Sequence, residues 1–265
     1  MRLFQNSALY RSYEPRLRAL CEGVSGFREL RRVFLHDRFG AAHFLRPVLE
    51  EDETAFFTNG DDEVLQRSWA REKGLPAQCS LADILRAQIE EHRATVFYNL
   101  DPIRYGNDFV RSLPGCVERL IAWRAAPSGQ ADLSGYDLVV CNFPAILRDY
   151  ASKGCRTAYF FPAHDPVMDD YASNTDRPID VLFAGSYSRH HLRRARLLEA
   201  AARLADRSRI VMHMAGSSLA PTSCTHWCHP TRTLLSRTVS RSTSGARMCP
   251  TFRTSSPIRR SRWVI

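Results

Sequence analysis

What this sequence lacks narrows its class first. It contains no run of about 18 apolar residues, so no segment reads as a membrane-spanning helix. Met1 to Ser7 lacks the apolar stretch of a secretory signal, and a soluble cytoplasmic protein with no integral membrane segment is expected. Neither G-x-G-x-x-G nor a Walker loop occurs, so dinucleotide and P-loop chemistry have no motif behind them. The loop after the first expected strand, Asn6 to Tyr10, has no glycine, which argues against a dehydrogenase or a methyltransferase. Lysine is almost missing: Lys73 and Lys153 stand beside 35 arginines. Carboxylates stop at Asp206.

The net charge of +9 is confined to one end. Pro221 to Ile265 holds eight arginines and no acidic residue, whereas residues 1–220 carry 29 basic against 28 acidic side chains. The body is neutral, and no nucleic-acid partner is expected for it. The tail is Ser, Thr, Arg, Pro and Cys without a sustained apolar period. Arginine in place of lysine suggests a GC-rich gene, and such a tail is what reading it out of frame gives. The native sequence is therefore expected to end near Ala220. The rival reading is a Rossmann-like binding module whose basic tail contacts nucleic acid or anionic surfaces, although aromatics there are sparse. Cys21, Cys79, Cys116, Cys141 and Cys155 are scattered through the body and suggest no disulfide framework. Cys224, His226, Cys228, His229 and Cys249 match no common zinc finger, so no metal site is expected.

Strands and helices alternate through residues 1–214. Strands are expected at Arg2–Gln5, Thr54–Thr58, Thr95–Leu100, Leu120–Trp123, Leu138–Cys141 and Thr157–Phe161. Helices are expected from Pro15 to Glu22, around Phe27, Leu30 and Phe34, from Glu63 to Lys73, after the Ser80/Asp83 cap, and from Pro144 to Ser152. Several strands are apolar throughout, as expected when helices cover both faces of a parallel sheet. Residues 162–178, with three prolines, read as a crossover. The pattern restarts with a strand at Asp180–Gly185, a helix at Arg189–Leu204 and a strand at Ile210–His213. The fold class is thus α/β, with two Rossmann-like domains and an irregular tail. The division is an N-terminal domain (1–162), a linker (163–178), the start of a second domain (179–220) and the tail (221–265).

Ligands of open parallel sheets bind outside the carboxyl ends of the strands. Asn99, Asp101, Arg124 and Asn142 lie there and are candidates for substrate binding; the bland alternative for Asn142 is a helix cap, and Asn59 reads as a turn residue. His164 and Asp165, where one domain hands over to the next, are the candidate catalytic pair: a histidine accepts a proton and a carboxylate orients it. A structural turn before Pro166 competes with that reading. Gly185, Ser186 and Arg189 bring backbone N–H groups, a helix start and a guanidinium together, which suits a diphosphate; an ordinary glycine turn is the alternative. His36 and His43 read as packing or surface residues.

Tyr98–Pro102, Tyr136–Asn142 and the crossover followed by Asp180–Ser188 carry a resemblance. Over residues 27–214 the chain resembles bacterial glycosyltransferases of the two-Rossmann (GT-B) architecture, in the spore-protein-like or family 1 group. The resemblance implies a nucleotide-sugar donor held mainly by the C-terminal domain, an acceptor held mainly by the N-terminal one, and no bound metal or cofactor. It further implies donor-gripping carboxylates beyond Asp206, where this chain has none. Transfer by this chain is expected to be weak or lost, with the second domain incomplete.

Overall fold

The computed structural model describes residues 1–186, 192–205 and 207–215. The tail, its Cys/His cluster and Arg189 lie outside the described residues. The chain divides into two compact units, Met1–Asp169 and Asp170–Ile265, so the break falls inside the expected crossover.

In the first unit, β1 (Leu3–Ser7) leads to α1 (Glu14–Leu20), α2 (Phe27–His36), a single 3-10 turn at Ala41–His43 and α3 (Arg46–Leu49). Then come β2 (Ala55–Asn59), α4 (Glu63–Glu72), α5 (Leu81–His92), β3 (Val96–Asn99), α6 (Asn107–Arg111), β4 (Arg119–Trp123) and β5 (Leu138–Cys141). The unit closes with α7 (Pro144–Ser152) and β6 (Thr157–Tyr159), while α8 (Val167–Ala172) runs up to and past the break. Six strands form one parallel sheet in the order β2-β1-β3-β4-β5-β6, a Rossmann-like α/β arrangement. The crossover from β1 to β2 runs one way along the sheet and the crossover from β2 back over β1 to β3 runs the other, so the topological switch lies between β1 and β3.

Local chemistry accounts for most boundaries. Asp62 caps α4 by accepting from the N–H groups of Val64 and Leu65, and Ser80 with Asp83 forms a reciprocal capping box on α5. Neighbouring strand residues enter opposite cores: Phe97, Ala122 and Val139 on one face, Tyr98, Trp123 and Val140 on the other. Both faces are covered, which is why the strands are apolar without alternation. The short helices α3, α6 and α8 were not expected; each of the first two is anchored by tertiary burial, of Val48 and of Phe109 with Val110. Strand β6 stops at Tyr159, two residues before the expected end.

A buried polar network ties the carboxyl ends of the strands together. The Asn6 amide donates to Asn99 Oδ1 at 2.8 Å, and the Gly60 N–H donates to Asn6 Oδ1 at 2.8 Å. The Tyr105 hydroxyl donates to the Gly60 carbonyl at 2.6 Å, and Asn99 Nδ2 donates to the Tyr136 hydroxyl at 2.6 Å. Burial pushes both phenols up, so each stays a proton donor. Gly60 fits because it lacks a side chain: a Cβ there would stand 2.6 Å from Asn6 Oδ1 and 2.8 Å from the Tyr105 oxygen.

The second unit is described as β7 (Val181–Ser186), α9 (Leu192–Ala202) and β8 (Ile210–Ala215). Its two strands are parallel, over a small core of Leu198, Ile210 and Met212.

Gly60→Ala should destabilise the first unit by roughly 1–3 kcal/mol, the usual cost of overpacking a filled interior. Tyr105→Phe, which leaves the Gly60 carbonyl unpaired, should cost about 1–2 kcal/mol. Urea unfolding of both variants measures this; midpoints equal to the parent's would show that the network contributes nothing.

Candidate functional site

The loops beyond the sheet's carboxyl end gather two clusters. The first surrounds the switch. Asp61, following β2, accepts from the Leu9 N–H at 2.7 Å. Asp101, following β3, receives the Arg104 Nε–H at 3.0 Å, and the same guanidinium comes within 3.9 Å of Asp61. Burial first, and the Asp101 charge after it, push the Asp61 carboxyl above its ordinary range, against the opposing Leu9 N–H and Arg104. Two carboxylates therefore share one arginine at the place where open α/β sheets receive ligands.

The second cluster lies where the chain leaves β6. His164 is exposed, and its Nε2 sits 2.8 Å from Asp169 Oδ1. Asp165 is buried: its Oδ1 accepts from the Val167 N–H at 3.3 Å and lies 3.7 Å from Arg38, while Oδ2 has no hydrogen-bond partner among the described residues. The carboxylate beside the imidazole is thus Asp169, in the first turn of α8, and not the adjacent Asp165. The Ala163 N–H donates to the Ala42 carbonyl at 2.6 Å, which ties this segment to the loop after α2.

The other sequence candidates separate by exposure. Asn99 is fully buried, with its amide and carbonyl both engaged by protein groups, so it shapes the rim from beneath. Arg124 follows β4 and lies beside the Tyr150 phenol, whose pKa burial raises against the pull of that guanidinium. Asn142 follows β5, is half-buried, and has no side-chain partner among the described residues; α7 begins instead on Phe143 without a side-chain cap. Gly185 and Ser186 are the last two residues of β7 and pair with Met214 and Ala215. A Cβ on Gly185 would stand 3.0 Å from the Phe183 ring. His43 packs edge-on against Trp123 with a pKa lowered by burial, and His36 is exposed 3.7 Å from Glu51.

Asp61, Arg104 and Asp169 were not singled out in the sequence. Asp61 follows the Asn59–Gly60 turn signal without a motif of its own, and only the fold brings Arg104 to it. No group of three or more His, Cys, Asp or Glu side chains gathers around a common point among the described residues, nor is any described helix long and apolar enough to cross a membrane. No protein-family model matches the chain, and no curated protein matches it.

The raised Asp61 pKa has a definite sign in stability. The folded state binds this proton more tightly than the unfolded chain, so ionised Asp61 weakens folding above the folded pKa. The penalty vanishes as pH falls below the unfolded value. Asp61→Asn, which keeps an acceptor for the Leu9 N–H, should therefore be more stable than the parent at pH 7 and lose that advantage by about pH 3. Thermal unfolding across that range decides it, and a variant less stable at neutral pH overturns the assignment.

Proposed function

We propose that this chain is a glycosyltransferase-like protein, in which the first unit takes an acceptor at its carboxyl rim and the second begins the binding of a nucleotide-sugar donor. The observation that carries the reading is the exposed His164 imidazole with the Asp169 carboxylate at 2.8 Å. That pair is suited to general-base work: the carboxylate orients the ring and stabilises the imidazolium that forms. With Nε2–H donating to Asp169, His164 Nδ1 is the unprotonated nitrogen and removes the proton of an acceptor hydroxyl. The hydroxyl oxygen then bonds to the sugar's anomeric carbon. The bond from that carbon to the diphosphate breaks, and the nucleoside diphosphate leaves with the electron pair. Asn142 is assigned the orienting of acceptor hydroxyls, a role supported by its half-buried position and its unengaged amide among the described residues. The parallel β7–α9–β8 unit supports the donor role assigned to Gly185 and Ser186, with Arg189 completing it. Donor-side carboxylates are missing after Asp206, so turnover should be slow even where binding is retained.

Hydrogen exchange of the 265-residue protein with UDP-glucose, UDP-galactose and GDP-mannose tests the reading. At least one should protect Val181–Ser186 and release nucleoside diphosphate slowly. His164→Asn should reduce that release by roughly 100-fold, the usual contribution of a positioned base. Absence of protection by all three would falsify the donor role. Turnover of about 10 per second, ordinary for an enzyme, would show that the missing carboxylates do not matter.

A further inference from the structure

Beside the switch-point carboxylates a groove of about 750 Å³ runs down the outer side of α4. Ligand pockets in proteins usually enclose about 300–1,000 Å³, so its size suits a small molecule. Five arginines line it: Arg11 from the loop after β1, Arg18 from α1, Arg67 and Arg71 from α4, and Arg104 from the loop after β3. The three carboxylates in the same lining are each taken by one of them. Glu14 lies 3.6 Å from Arg18, Glu63 lies 3.5 Å from Arg67, and Asp61 lies 3.9 Å from Arg104.

These three guanidiniums are also held in place by groups beneath or beside the groove. Arg18 donates to the buried Asp62 at 2.6 Å, Arg67 to the carbonyl of Ala77 at 3.1 Å, and Arg104 to Asp101 at 3.0 Å. Arg11 and Arg71 differ. Both are exposed, and neither has a carboxylate or other acceptor among the described residues. Asp62 and Asp101 bring the carboxylates around the five guanidiniums to five, but these crowd onto Arg18, Arg67 and Arg104, so Arg11 and Arg71 are the two cations of the lining that no acceptor meets among the described residues. An anion in the groove supplies the acceptor that these two guanidiniums lack.

We propose that this groove binds a small anionic ligand, Arg11 and Arg71 supplying guanidinium forks to its phosphate or carboxylate groups while Arg18, Arg67 and Arg104 shape the walls. The guanidinium plane matches both anions through two parallel N–H donors. The inference rests on the reading above only in naming that ligand as the acceptor; the anion site stands without it.

Titration calorimetry of the 265-residue protein with inorganic pyrophosphate and with citrate, at about 0.1 M salt, is the test. Saturable binding of either in the millimolar range or tighter is expected, with hydrogen-exchange protection across Glu63–Ala77. A preference for pyrophosphate assigns a phosphorylated ligand, and a preference for citrate assigns a carboxylate. The double variant Arg11→Ser/Arg71→Ser should weaken the preferred anion by roughly tenfold or more, since each lost charge-assisted contact is worth about that much. Both residues are exposed and unpartnered, so its unfolding midpoint should match the parent's. Arg203→Ser/Arg207→Ser, on the second unit, should leave affinity unchanged. No saturable binding of either anion overturns the proposal. Equal affinity in the Arg11/Arg71 variant also overturns it, because the anion then binds outside this groove. No nucleotide sugar enters this experiment, so its failure and that of the glycosyl-transfer reading are separately visible.

Discussion

One buried hydrogen bond, from the Asn6 amide to Asn99 Oδ1, crosses from β1 to β3 at the point where the winding of the sheet reverses. Both residues are fully buried, so each amide must find partners inside the protein or lose its hydration without compensation. The partners are the Gly60 N–H on one side and the Tyr136 hydroxyl with the Asp101 N–H on the other. A network satisfied at nearly every position is stiff, because shifting one strand end would leave a polar group unpaired in a low-dielectric interior. The carboxyl ends of β1, β2 and β3 are thereby held to one another.

The rim chemistry inherits that stiffness. Asp61 follows Gly60 directly, and the Asp101 N–H is itself bonded to Asn99. The two carboxylates that share Arg104 are therefore placed by the network together with their contacts to the Leu9 N–H and Arg104. Placement by a buried frame keeps a carboxyl such as Asp61 in an environment that disfavours its charge. The price is stability at neutral pH, a cost that proteins sustain mainly where a group must act.

How much of this was legible in the residues divides along physical lines. The strands of the first unit read clearly because both faces are buried: Phe97 and Tyr98, or Val139 and Val140, are apolar neighbours serving opposite cores. Caps were legible where the side chain bonds locally, as Ser80 does with Asp83. Asn99 stood out as a polar residue at a strand end, yet its exposure was not readable, since its partner Asn6 is 93 residues away. The helices α3 and α6 are four and five residues long, too short to show a period, and exist because tertiary burial holds them. Around His164 the neighbouring Asp165 was the obvious carboxylate. Backbone geometry gives Asp169 that position, because the start of α8 returns it to the imidazole.

Arginine content by itself says nothing about the groove beside α4. With 35 arginines and two lysines, a GC-biased sequence will put several guanidiniums along many surfaces. What separates this groove from a solvated face is the pattern of compensation within it. Three arginines are neutralised by carboxylates of the same lining and anchored by hydrogen bonds, which fixes the walls. Two others, one on the loop after β1 and one on α4, are left without an acceptor among the described residues. A helix face of alternating charge would pair Arg71 with a carboxylate one turn away, as Glu63 pairs with Arg67. The residue one turn before Arg71 is Arg67, and the residue one turn after is Leu75, so the helix offers it none. The two unaccepted guanidiniums are a property of the groove's sequence and geometry together, and they do not follow from composition.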